Sequence, residues 1–309
     1  MARKILGWLF RTGLSYGTEK VSVTIPPKDE FVMFLASLAA VEVGKIPHFG
    51  ILAGNPGSDG QRFLVLVFDA KQSPVAVVKA GLSARARQLI EKEASFLAAA
   101  PEQLAGLPKL RATFQGPRLR ALALDFFRGD SPRPRDLCAL PALLGSWIAP
   151  NRKTPLREVP DWRRLVSACA DNKLFSSIAQ RLEDRIVQGA IQHGDFAPWN
   201  VRVSPGGVWT VLDWERGELT GIPGWDWFHY ILQSGILVAR LTTDQLLEAA
   251  EHLLASETFK KYSRDAAIAG FERELMLAYL LHCTEVIKPS EGLPQTVELM
   301  KALAARWLE

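Results

Sequence analysis

The chain is poor in cysteine. Its three, Cys138, Cys169 and Cys283, lie far apart and form no CxxC pair. So sparse and odd a set excludes a disulfide framework and a cysteine zinc site, and leads us to expect a reducing, cytoplasmic location. Long apolar runs are also missing. Nothing approaches the ~20 residues of a membrane span, so no transmembrane segment is expected. At the N-terminus, MARKILGWLFRTGLSYG carries an apolar stretch of only six residues before Arg11, with no small-residue cleavage site after it. That argues against a signal peptide. The segment reads as a helix docked on the core, or as a peripheral membrane contact by residues 1–14. A large excess of charge of one sign is absent too. A net charge of +4 over 309 residues gives no reason to expect a nucleic-acid partner.

What is present is ordinary in bulk and uneven in detail. Hydrophobic residues make up 48% and charged residues 23%, which suits a globular protein large enough for two lobes. Residues 107–164 hold twelve Lys/Arg against five Asp/Glu, and residues 241–309 hold seven against eleven. The basic middle could suit a phosphate-bearing partner and the acidic end a cationic one. Solvated faces would produce the same counts.

Pro-Pro and acids before FVMFLASLAAVEV predict a helix over about 28–42. HFGILAG, QRFLVLVFD and SPVAVVKAG are short β-branched and aromatic runs separated by GNPGSDG and DAKQS. They predict a three-stranded antiparallel meander. A serine-started helix over about 83–99 follows, then further strands around RATFQ and RALALDFF. The break FFRGDSPRPRD marks a lobe boundary. Helical patterns follow at 135–146, 160–188, 243–256, 264–287 and 293–308, interrupted by a strand–loop–strand over 191–213. The division is therefore an extension, 1–27, an N-lobe, 28–128, and a C-lobe, 129–309.

The chemistry concentrates in HGDFAPWN, residues 193–200, and VLDWE, residues 211–215. Pro198 bars a continuous helix, so Asp195 and Asn200 sit in an irregular loop. Asp213 ends an apolar strand. An Asp, an Asn five residues on and a second Asp after a short hairpin reproduce the protein-kinase pattern. Phosphoryl transfer needs a carboxylate to orient a hydroxyl and take its proton, and hard oxygen ligands for Mg²⁺. Upstream, VAVVKAG puts Lys79 at the end of the third strand, and Glu93 follows in the next helix. Glu93 shares the apolar helix face with Leu89, Phe96 and Leu97, whereas Glu91 does not.

These motifs, with the later GxPxWD, resemble the aminoglycoside phosphotransferase and choline kinase-like family over roughly residues 48–290. The resemblance implies an α+β, bilobal protein-kinase-like fold: a small antiparallel sheet with one inserted helix, then a larger, mainly helical lobe. It implies ATP or GTP as donor, Mg²⁺ as cofactor and a small-molecule hydroxyl (aminoglycoside, sugar or amino alcohol) as acceptor. Carried over by position, Asp195 is the catalytic base, Asn200 and Asp213 are metal ligands, Lys79 binds phosphates and Glu93 supports Lys79. Gly54 and Gly57 would belong to a cover over the nucleotide, although GNPGSDG lacks GxGxxG spacing. Asp226 matches a buried helix acid that steadies the catalytic loop.

Gly194 replaces the arginine of regulated protein kinases, and only eleven residues separate Asp213 from Trp225. Both disfavour a protein substrate. A nucleotide-binding pseudokinase scaffold is the alternative. Further expectations are a structural His193, no metal at His229, His252 or His282, and core packing rather than an aromatic cage for Trp199, Trp214, Trp225 and Trp227. An acidic wall of Glu248, Glu251, Glu272 and Glu274 could attract a cationic acceptor.

Overall fold

A computed structural model describes residues 26, 28–42, 45–54, 60–287 and 294–308. The N-terminal segment 1–14 and Gly57, both singled out above, lie outside these residues.

Helix α1 (Glu30–Ala39) starts at Asp29, whose carboxylate accepts from the amide of Val32. Strands β1 (Phe49–Ala53), β2 (Arg62–Phe68) and β3 (Pro74–Gly81) form the expected meander, and helix α2 (Ala84–Ala99) begins at Ser83. Strands β4 (Leu110–Gln115) and β5 (Arg120–Asp125) complete a five-stranded antiparallel sheet in the order β1-β2-β3-β5-β4. The period of two gives this sheet two apolar faces. Val65, Val67, Ala76, Val78, Ala80, Ala121 and Ala123 pack under α1. Leu122 and Leu124 join the larger core that holds α2 and the helical half. Leu52, Leu64, Lys79 and Leu122 are directly paired across four strands, so they line that second face in one row.

The helical half is more finely divided than its periodicity predicts. A 3₁₀ turn leads into α3 (Leu140–Ser146), and strand β6 (Ile148–Pro155) follows. The expected single helix over 160–188 is two, α4 (Pro160–Ala168) and α5 (Lys173–Leu182), followed by strand β7 (Ile186–Gln192). Asn172 makes the break, accepting from the amide of Phe175 to cap α5. Strands β8 (Val201–Val203) and β9 (Trp209–Val211) form the hairpin after HGDFAPWN, and β10 (Glu218–Gly221) joins β7 and β6 in a three-stranded sheet. Helix α6 (Trp225–Gln233) runs on as a π-helical turn, Ser234–Ala239.

Helices α7 (Thr243–Ala255), α8 (Glu257–Asp265), α9 (Glu272–Leu281, with a π turn to Ile287) and α10 (Pro294–Leu308) close the fold. The pattern read as one helix over 264–287 thus begins only at Glu272. The sheet followed by a helix-rich half is the expected α+β, kinase-like architecture. Among the described residues no helix is long and apolar enough to cross a membrane.

Candidate active site

Three chain segments meet where the sheet faces the helical half. Lys79, on β3, donates to both carboxylate oxygens of Glu93, on α2, at 2.6 and 2.8 Å, and to Asp213 Oδ1 at 2.5 Å. Glu93 is fully buried because it lies on the apolar stripe of α2, with Ala86, Ile90, Phe96 and Leu97. Glu91 lies off that stripe, is 53% exposed at its side chain and pairs with Arg120 instead. Burial alone would depress the Lys79 ammonium, but Glu93 and Asp213 outweigh it and hold its pKa above the ordinary lysine range. Burial would likewise raise the Asp213 carboxyl, yet Lys79 and, more weakly, Arg62 hold it below its usual value.

Asp213 adopts φ 66°, ψ 53°, a left-handed conformation that aspartate tolerates better than most residues. The next residue fixes the helix to this segment. The Trp214 amide donates to Glu93 at 3.3 Å, and its ring stacks on Phe96 at 4.8 Å between centroids and 9° between planes. Arg62, at the start of β2, forms an ion pair with Glu215. Gly54 closes the same hairpin, its amide donating to Arg62 O at 2.9 Å. A Cβ there would sit 2.4 Å from that oxygen.

The loop 193–200 is held from below. Asp226 accepts from the amides of His193 at 2.6 Å and Gly194 at 3.0 Å. Burial pushes the Asp226 carboxyl up to about 6, against the pull of these two amides. His193 receives the Asp195 amide on Nδ1 at 3.2 Å and faces Leu212 O with Nε2 at 2.7 Å. Those partners define a neutral Nε2–H ring, and burial accordingly lowers its pKa to about 4. Gly194 has φ +77°, and a Cβ on it would meet Arg216 at 3.0 Å. The glycine is required by backbone geometry, quite apart from any arginine it replaces.

Asn200 Nδ2 donates to Asp195 O and to Asp195 Oδ2, both at 2.9 Å. The Leu212 amide donates to Asn200 O at 2.7 Å, so the β8–β9 hairpin sets Asn200 beside the residue preceding Asp213. Burial would raise the Asp195 carboxyl, but His229 together with Arg216 and His193 holds its pKa below the ordinary value. The oxygens left on Asn200, Asp213 and Glu215 are hard donors of the kind a small divalent cation takes. Glu93, Asp213 and Glu215 present carboxylate oxygens within 4.8 Å of one another.

Several residues of this site carry no motif signal in the sequence. Arg62 and Glu215 lie 153 residues apart, and their pairing has no sequence signal. Leu52 and Leu64 look like ordinary strand residues, yet Leu52 is 63% exposed on the cleft side of the sheet. His229 follows Asp226 by three positions, a helix spacing that puts both on one face and would have linked it to the loop.

Three of the four tryptophans pack as expected: Trp214, Trp225 and Trp227 are buried against Phe96, Tyr279 and Phe259, and only Trp199 is exposed, at 38%. The acidic wall is corrected. Glu251 is tied to Trp307, Arg306 and Arg273, Glu272 caps a turn through Ser263 and the Gly270 amide, and Glu274 pairs with Arg181. Three of the four residues of the acidic wall are thus engaged within the helices. Much of the basic run is paired as well, through Arg111–Asp125, Arg120–Glu91, Arg157–Asp184 and Arg164–Asp161.

The fold and this site define a kinase-like phosphotransferase. The chain belongs to the phosphotransferase enzyme family, whose model matches residues 16–231. No curated protein matches the sequence significantly. Among solved structures, the chain is similar to a thermostable mutant of aminoglycoside phosphotransferase APH(4)-Ia in a ternary complex with ADP and hygromycin B. That match has 13% identity and a TM-score of 0.58, covering 91% of this chain and 100% of the other. A candidate aminoglycoside phosphotransferase from Ralstonia eutropha matches at 14% identity and a TM-score of 0.54, over 89% and 94%. A candidate fructosamine-3-kinase from Haemophilus somnus matches at 11% and 0.51, over 90% and 96%.

Proposed function

We propose that this small-molecule kinase transfers the γ-phosphoryl group of ATP to a hydroxyl of a small acceptor, with Asp195 as the base. The observation that carries this reading is the convergence of Lys79, Glu93 and Asp213 in one ion cluster beside the loop that holds Asp195 and Asn200. The apolar row of Leu52 and Leu64 offers a flat ceiling for a purine. The ADP and hygromycin B of the similar structure support an adenine nucleotide and a polyhydroxylated acceptor.

The cluster carries one more negative than positive charge. Lys79 and Arg62 carry the positive charge, and Glu93, Asp213 and Glu215 the negative. When the triphosphate enters, Lys79 turns part of its hydrogen bonding to phosphate oxygens while Glu93 keeps its position. Asn200 and Asp213 are the residues that would hold Mg²⁺, which when bound screens the phosphate charge. Asn200 is fitted to this because its Nδ2 is spent on Asp195, which turns its amide oxygen free. Asp195 accepts the proton of the acceptor hydroxyl as the new P–O bond forms and ADP leaves.

Helix α2 is already docked through Glu93, Trp214 and Phe96, and β10 ties the short segment after Asp213 into a sheet. Both favour an enzyme active without phosphorylation and acting on small molecules. The test is ADP release from Mg²⁺-ATP in the presence of a panel of aminoglycosides, sugars, fructosamines and amino alcohols. Stimulation by one class, lost in Asp195→Asn, is the expected result. Tight nucleotide binding with no acceptor-dependent ADP release across the panel, and no effect of Asp195→Asn, would favour a scaffold instead.

A further inference from the structure

His229 has entered so far only as a neighbour of Asp195. It lies on α6 and is only 3% exposed. Its Nδ1 is 3.0 Å from the hydroxyl of Tyr279, on α9. Its Nε2 is 3.2 Å from Asp195 Oδ1, yet the N–H direction misses that oxygen, and no other described residue partners it. A buried ring nitrogen left without a straight hydrogen bond is costly. This one points at the carboxylate on which the proposed chemistry depends.

The tautomer follows from the partners. An Nδ1–H ring would donate to the Tyr279 oxygen and turn a bare Nε2 lone pair toward the Asp195 carboxylate. Two acceptors at 3.2 Å repel. The opposite arrangement sets a donor toward an acceptor at both contacts: the Tyr279 hydroxyl donates to Nδ1, and Nε2–H faces Asp195 Oδ1. Asp195 Oδ2 already accepts from Asn200 at 2.9 Å. Each carboxylate oxygen then has one protein donor, which opposes rotation of the carboxylate and leaves its other lone pairs for a substrate hydroxyl.

We infer that His229, held in the Nε2–H tautomer by Tyr279, is a positioning residue that orients Asp195 toward the acceptor hydroxyl. The inference rests on the reading of Asp195 as the base. His229 takes no proton in the reaction: the acceptor's proton ends on Asp195, the bond between the γ-phosphorus and the bridging oxygen breaks, and the new P–O bond forms. As the acceptor is engaged, the hydrogen bond from Nε2–H to Asp195 straightens.

Two measurements on the full chain test it. The first needs no activity. With the histidines labelled by ¹⁵N, and the His229 signals identified by their loss in His229→Gln, the ring should be the neutral Nε2–H tautomer. Its Nε2 proton should shift upfield and exchange faster in Asp195→Ala, and the tautomer should become mixed in Tyr279→Phe. An Nδ1–H ring, or an Nε2 signal indifferent to Asp195→Ala, overturns the contact.

The second uses the acceptor found by ADP release. His229→Phe should lower kcat by on the order of 100-fold through misplacement of the base. The nucleotide KM should stay within about twofold, and His229→Gln, which keeps a side-chain N–H donor, should recover most of the rate. Equal losses in the Phe and Gln variants, or a loss carried by the nucleotide KM, overturn the positioning role. A parent protein that phosphorylates no acceptor refutes the kinase reading and the role with it, while the tautomer result still reports separately whether the contact exists.

Discussion

The acids of the cleft and the acids of the C-terminal helices make ion pairs of comparable length. Asp213 meets Lys79 at 2.5 Å, and Glu274 meets Arg181 at 3.1 Å. Their settings differ. Lys79 is 7% and Asp213 39% exposed, with Glu93 buried beside them, and they join the sheet to the segment after β9, whereas Arg181 is 54% and Glu274 17% exposed and they join two helices of the same half. A charge in the cleft is held by neighbours that a nucleotide could replace. A charge on the helices is held where water screens it. Charge counts along the sequence cannot tell these settings apart, which is why the acidic stretch 241–309 reads as an acceptor wall.

The contrast can be broken or sharpened by four experiments, the largest effect first. Asp195→Asn should lower phosphoryl transfer by roughly 10³-fold, with thermal unfolding unchanged. A variant retaining near-parental ADP release would remove Asp195 from the chemistry.

Next, Lys79→Met should destabilise the fold by roughly 3 kcal/mol, because it strands Glu93 in the core. Glu93→Gln should also cost stability, and the double variant should lose less than the sum by about 1 kcal/mol or more. Chemical denaturation of the three variants decides this. Strict additivity would mean that the pair does not couple. Glu91→Ala, by contrast, should leave nucleotide KM at the parental value.

The third concerns pH. Folded His193 titrates at about 4, below the ordinary 6.5. Between those values the unfolded chain binds a proton that the folded chain does not, so stability falls as pH falls through the window. The contribution is on the order of 3 kcal/mol when complete. Asp226 acts in the opposite sense: raised from 3.8 to about 6, its contribution is present at low pH and lost as pH rises through that range. Urea midpoints between pH 6.5 and 4 should therefore fall less steeply in His193→Gln than in the parent, and more steeply in Asp226→Asn. Identical slopes in all three proteins would contradict the assignment of burial as the cause.

The smallest effect belongs to the helix surface. Glu274→Gln should change stability by under about 1 kcal/mol and leave acceptor kcat/KM, and its salt dependence, unaltered. A marked loss for amine-bearing acceptors, fading as salt rises, would restore the acidic wall.

What the sequence determined by itself is local. Asp195, Asn200 and Asp213 are brought together by one loop and one hairpin, and Lys79 and Glu93 by adjacent elements fourteen residues apart. Strand alternation and helix periodicity report which side of an element is apolar, and this was enough to turn Glu93 inward and Glu91 outward. The order of the first three strands was legible for the same reason, since a meander needs only neighbouring strands, whereas the pairing of β3 with β5 rather than β4 was not.

Tertiary structure decided whatever joins distant segments. The pairing of Arg62 with Glu215, the contacts that run from Tyr279 through His229 to Asp195, and the capture of Glu251 by Trp307 and of Glu274 by Arg181 have no common period in the chain. Nor did the apolar pattern over 160–188 reveal that Asn172 would interrupt it, because a cap competes for one backbone donor and leaves the hydrophobic rhythm intact. Burial is the quantity that separates the two kinds of information. It changes the energy of a charge or a hydrogen bond several-fold, and it exists only once the chain has packed.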